Sequence, residues 1–104
     1  IGDLVESEAL HALWGDSIDA LRVSSTKSMH GHLLGAAGAL EAVVTVLALH
    51  HRQLPPNAFC ATPDPACRLN LVREAGAAAP DLNAAISNSF AFGGTNAVLV
   101  FQRA

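Results

Sequence analysis

Positive charge is scarce in this sequence. Six of its 104 residues are lysine or arginine, a single one of these is lysine, and the formal net charge is −3 at pH 7. A nucleic-acid surface needs clustered Lys and Arg, so nucleic acid is not an expected partner. Cysteine is nearly absent as well. Cys60 and Cys67 form no CxxC pair and have no metal-ligand spacing, so both are expected to be free thiols of a reduced, cytoplasmic protein, with no metal bound. The opening "IGDLVESEAL" lacks the basic flank and apolar stretch of a secretory signal, and no export is expected. Repeats and low-complexity tracts are missing too.

What remains is strongly apolar: 51% of residues are hydrophobic and 14% charged, with a mean hydropathy of +0.34. One core is the limit for this length, and a domain of this size buries roughly two-thirds of its unfolded surface. The excess of apolar residues implies surface that meets another chain or a further part of the same protein. The run from Leu33 to Leu49 invites a membrane reading. It falls short of the ~20 residues that a span needs, carries Glu41 near its centre and is interrupted by Gly35, Gly38 and Thr45. A core helix buried on most of its circumference is expected instead, and no membrane span.

Along the chain, "GDLVESEALHALWG" reads as a helix. Asp3 and Glu6 have the spacing of a capping box, Val5, Ala9, Leu13 and Trp14 form an apolar stripe, and Gly15 is the stop. "ALRVSS" reads as a short buried strand feeding a loop, and a helix is expected from about Gly31 to His51. All five prolines lie between Pro55 and Pro80, which predicts a long connection with one edge strand at "LNLV". "NAAISNSFAF" and "TNAVLVFQR" flank Gly93-Gly94 and predict an antiparallel hairpin. The fold class is therefore α/β, a helix packed on a mixed sheet that ends in an antiparallel hairpin.

Chemistry concentrates in "STKSMHGHLLGAAGALEAVV". An ionised carboxylate in an apolar helix needs a partner, and Lys27 in the preceding loop is the natural one for Glu41. Such a pair serves equally to pin the loop to the helix or to build a site. His32, at the expected helix entry, is a capping or core histidine or else a neutral ring that donates a hydrogen bond to a carbonyl oxygen gaining charge. His30 reads as solvent-facing or locally packed, and His50 and His51 sit at the favourable C-terminal end of the helix. A zinc site from His30 and His32 lacks further ligands. The glycines of "GHLLGAAG" match no phosphate loop and read as small residues, Gly31, Gly35, Ala36 and Gly38, that let backbones approach. No GxSxG elbow is present.

Two stretches, "SSTKSMHGHLLGAAGALE" and "NSFAFGGTN", with "LPPN" between them, resemble the C-terminal part of β-ketoacyl-acyl-carrier-protein synthases. The resemblance extends to "GDLVESEALHALWG" and so to nearly the whole chain, residues 1–104 as one C-terminal domain. It implies the second half of a thiolase-like αβαβα fold and no cofactor. It also implies decarboxylative condensation of malonyl on acyl carrier protein with an acyl group held on a nucleophilic cysteine, in fatty acid or polyketide synthesis. By this likeness His32 and Lys27 are catalytic, with Glu41 in structural support. Phe90, Phe92, Gly93 and Gly94 bind substrate, and Phe92 acts as a gate whose backbone N–H contributes to an oxyanion hole. The family usually has glycine where Ala91 stands, and alanine restricts positive φ there. The nucleophile and a second histidine belong to segments outside this chain, so neither Cys60 nor Cys67 is the nucleophile and the chain by itself is expected to be inactive. The implied partners are acyl carrier protein, the N-terminal half of the enzyme and a second copy of the complete protein. A non-catalytic partner subunit resembling chain-length factors is the alternative. A thiolase would show a cysteine base where "NSFAFGGTN" stands.

Overall fold

The computed structural model describes residues 1–73 and 75–104. Helix α1, Gly2–Trp14, closes at Gly15, whose φ of 54° is of the left-handed kind expected for a helix stop. The capping box does not form. Helical geometry already begins at Gly2, so Asp3 lies inside the first turn, where its charge suits the helix dipole, and no side chain caps the end. Glu6 instead accepts a hydrogen bond from Asn88 Nδ2 at 3.0 Å. The apolar stripe also faces elsewhere. Val5, Ala9 and Leu13 are exposed and Trp14 is half-buried, whereas Ser7 and Leu10 turn inward.

A 3-10 segment, Gly15–Ala20, leads into β1, Arg22–Val23. A short helix, α2, Lys27–His30, comes first, and the helix expected from Gly31 starts later and in two pieces, a 3-10 turn over Leu34–Ala36 and α3, Ala37–His51. Thr45 does not interrupt α3, because its hydroxyl donates to Glu41 O at 2.8 Å within the helix. Strand β2 is Gln53–Leu54, β3 is Asn70–Leu71 and β4 is Ala77–Ala78. The hairpin strands are β5, Ala84–Phe90, and β6, Asn96–Gln102.

These strands form three separate two-stranded ladders among the described residues rather than one mixed sheet. β1 and β3 are parallel, with Val23 opposite Leu71. β2 pairs antiparallel with β4, Leu54 opposite Ala77, a closure that the proline-rich composition had hidden. β5 and β6 run antiparallel from Ala84↔Gln102 to Phe90↔Asn96, as expected. The turn between them, residues 91–95, is longer than a two-residue hairpin. Ala91 N–H donates to Thr95 O at 2.9 Å, and Gly93 and Gly94 take φ values of 84° and 80°.

Helix α3 packs on β5 and β6. Of the small residues expected to permit close approach, Gly38 does so: a Cβ there would lie 3.7 Å from Ser89 Oγ, whereas Gly31 and Gly35 face open space. The expectation of a helix buried around most of its circumference does not hold within this chain. Leu49 is the buried residue of α3, while Val43, Val46 and Leu47 are exposed. Among the described residues the buried apolar side chains are Leu10, Ile18, Leu49 and Val72, a small core for so apolar a sequence. Consecutive residues Val98, Leu99 and Val100 of β6 are also exposed, so both faces of that strand present apolar side chains. Leu34–His51 is long and apolar enough to cross a membrane by length and composition alone. Its continuous α-helical part is the fifteen residues of α3, fewer than the ~20 that a span needs.

Candidate functional site

The turn that carries Lys27 is closed by backbone bonds. Met29 N–H donates to Thr26 O at 2.9 Å and Gly31 N–H to Lys27 O at 2.7 Å. His30 Nδ1 donates to Gly31 O at 2.8 Å, since a carbonyl only accepts. Thr26 Oγ1 lies 2.8 Å from Nε2 of the same ring and supplies its proton there when the ring is neutral. His30 is thus both solvent-facing and bonded within its own turn, the two readings its position suggested.

Lys27, the first residue of α2, and Glu41, in the second turn of α3, form an ion pair. The Lys27 side chain is 40% exposed and that of Glu41 16%. The carboxylate is therefore the partner that most needs the contact. Because α2 and α3 are separate helices joined by residues 31–36, the pair fixes one against the other.

His32 differs from expectation in its cause. It lies in residues 31–33, ahead of the 3-10 turn that runs directly into α3 at Ala37. Its ring state is set locally: Leu34 N–H donates to His32 Nδ1 at 3.2 Å. An accepting Nδ1 is unprotonated, so the ring carries its proton on Nε2, which has no partner among the described residues and is exposed. Leu34 takes a φ of 51° to make this contact, a conformation uncommon for a side chain of its kind.

Phe90 ends β5, and Phe92, Gly93 and Gly94 form the turn after it, all of them exposed. The contact between Gly38 and Ser89 sets the N-terminal end of α3 beside the end of β5 that leads into this turn. Ala91 is not among the residues with positive φ, so alanine fits the backbone seen here without strain. Among the described residues no hydrogen bond joins His32 to Lys27, Glu41 or the turn. Cys60 and Cys67 are free and half-buried.

Two residues escaped the sequence reading. Asn57 ties the entry of the Lys27 turn to β1 and β3. Arg103 Nη1 donates to the carbonyls of Leu49 and His50 at the end of α3. The "LPPN" stretch marked a loop, but nothing in one-dimensional spacing reveals the partners of a lone amide.

Residues 1–60 match the family profile described as β-ketoacyl synthase, C-terminal domain. The chain is 46% identical over 103 residues to 3-oxoacyl-[acyl-carrier-protein] synthase 2 of Staphylococcus aureus, covering 99% of this chain and 25% of that protein. It is also 46% identical over 101 residues to the synthase 2 of Coxiella burnetii, covering 97% and 24%. A solved structure of a type II polyketide-synthase acyl carrier protein in complex with its ketosynthase bound to the hexaketide superposes with a TM-score of 0.90. It is 33% identical, over 95% of this chain and 24% of that one. The chain thus spans about a quarter of the length of these relatives. Its fold is the α/β, thiolase-like fold of a ketosynthase C-terminal part, within a family of synthase enzymes. With motifs, fold and identity in agreement over nearly its whole length, the chain belongs to the β-ketoacyl synthase C-terminal domain family.

Proposed function

We propose that residues 1–104 form the C-terminal part of a 3-oxoacyl-acyl-carrier-protein synthase, an acyltransferase that performs decarboxylative condensation in fatty acid or polyketide synthesis. The observation that carries this reading is the place of His32, an exposed ring whose Nδ1 accepts from Leu34 N–H, between the Lys27 turn and the helix that carries its partner Glu41. When malonyl on acyl carrier protein loses carbon dioxide, the electron pair of the broken C–C bond moves onto the thioester oxygen. The Nε2–H donates to that oxygen as its charge grows. The enolate carbon then attacks the acyl thioester on a cysteine contributed from outside this chain, and the cysteine thiolate leaves.

Lys27, held by Glu41, places a positive charge beside that centre and fixes the turn that presents His32. Phe92, on the turn with Gly93 and Gly94, is the movable element, with Phe90 beside it at the substrate. The exposed apolar faces of α3 and β6 support a chain that packs against the N-terminal half of the enzyme. Acyl carrier protein as substrate carrier, a homodimer of the complete protein and a cytoplasmic location complete the reading. A subunit without catalytic power has no need of a histidine poised as a donor, which favours the enzyme over a chain-length-factor-like partner.

The test is carbon dioxide release from malonyl-acyl carrier protein by the complete protein carrying this chain. Release that depends on His32 is expected. Release at the parent rate in His32→Ala overturns the assignment.

A further inference from the structure

The segment Pro55-Pro56-Asn57 is bonded to each of three successive residues that lead into the Lys27 turn. Ser24 Oγ donates to Pro55 O at 2.6 Å. Ser25 N–H donates to Asn57 Oδ1 at 2.8 Å. Val23 O accepts from Asn57 Nδ2 at 2.9 Å. The same Nδ2 donates to Val72 O at 3.0 Å, and the backbone N–H of Asn57 reaches that carbonyl at 2.9 Å. Val72 N–H in turn donates to Val23 O at 2.9 Å and its side chain is buried. The amide of Asn57 is therefore satisfied in a single orientation, its two hydrogens on the ends of β1 and β3 and its oxygen on the entry to the turn.

The segment itself is stiff. Two consecutive prolines fix φ, and Gly76 lies so close that a Cβ there would be 2.8 Å from Leu54 O and 3.7 Å from Pro56 Cδ. A rigid tether of this kind transmits the position of β1 and β3 to the residues that follow Ser25. The turn over residues 26–31 is a closed unit, and it is held from two sides, by Asn57 at its entry and by Glu41 through Lys27.

From this juxtaposition we infer that Pro55-Pro56-Asn57 is a positioning clamp for the reaction, with Asn57 as the positioning residue that sets where Lys27 and His32 meet the malonyl thioester. The inference rests on the roles proposed above for those two residues. Misplacement of a reacting group by about 1 Å can lower a rate about 100-fold, so a clamp of this kind affects chemistry without touching substrate.

The experiment uses the complete protein. Asn57→Asp keeps an acceptor for Ser25 N–H but cannot donate to Val23 O or Val72 O. Ser24→Ala removes one exposed tether and leaves the strands intact, so it decides the matter if the first variant does not fold. Carbon dioxide release from malonyl-acyl carrier protein and acyl loading of the cysteine are measured separately, with amide exchange at Met29, Gly31 and residues 42–49. Asn57→Asp is expected to slow release by about tenfold or more with loading within about twofold. Ser24→Ala is expected to slow release by about threefold. In both variants exchange is expected to accelerate at Met29 and Gly31 and not in α3. Release unchanged in both variants, or release and loading falling in proportion, overturns the clamp. His32→Ala is run alongside: parent-like release there overturns the roles given to His32 and Lys27, whereas exchange at Met29 and Gly31 still reports whether Asn57 holds the turn.

Discussion

Lys27 and Glu41 share one ion pair unequally, for the carboxylate is 16% exposed and the ammonium 40%. Removal of the lysine strands the deeper charge, while replacement of the glutamate leaves an ammonium that water can reach. Lys27→Met is therefore expected to destabilise the complete protein by about 1–2 kcal/mol, between the values for exposed and fully buried pairs. Glu41→Gln, which retains an acceptor for Lys27 Nζ, is expected to cost less than Glu41→Leu. Urea melts of the three variants check the order, and equal stability of all three with parent-like activity contradicts it.

The tautomer of His32 leads to a second expectation. On the proposed mechanism, which gives the Nε2 donor no part in loading, His32→Ala should abolish malonyl decarboxylation and leave acyl loading of the cysteine largely intact. Loss of one donor to a developing oxyanion lowers rates by about 100- to 1,000-fold. Separate assays of the two partial reactions provide the check.

Glycines with positive φ are not equivalent in this fold. At Gly76 a Cβ would meet Leu54 O at 2.8 Å with φ at 68°, so Gly76→Ala combines backbone strain with a clash against main chain. A loss of about 2 kcal/mol or more is expected. Gly93, with φ at 84°, has open space around it, and Gly93→Ala should cost only about 1 kcal/mol. Thermal melts distinguish the two. Gly93→Ala should still slow condensation if the turn bearing Phe92 must move.

Arg103 closes the end of α3 through Leu49 O and His50 O, at the negative end of the helix dipole. Arg103→Met should cost about 1 kcal/mol. Faster amide exchange is expected in the last turn of α3 and not at its start.

Much of the architecture was legible because it follows from local chemistry. Gly15 ends α1, Gly93 and Gly94 permit the turn, and the two β-rich runs that flank them become β5 and β6. The Lys27–Glu41 pair was legible for a simple reason: a lone ammonium and a carboxylate in an apolar run have few other ways to be satisfied. Glu6 was misread because local spacing suggests a cap, whereas Asn88, far along the chain, competes for the same carboxylate. The continuous helix from Gly31 was misread because hydropathy does not report that Leu34 takes a φ of 51°, outside the α-helical range.

The amino-acid order alone determined the family motifs, the hairpin and the partner of Glu41, since each depends on neighbours in sequence or on the scarcity of charge. The tertiary structure decided the bonds of Asn57 to the strand ends, the closure of α3 by Arg103 and the faces of α3 and β6 that stay open. Those features are hydrogen bonds and burial between distant segments, and their directions exist only once the chain is folded.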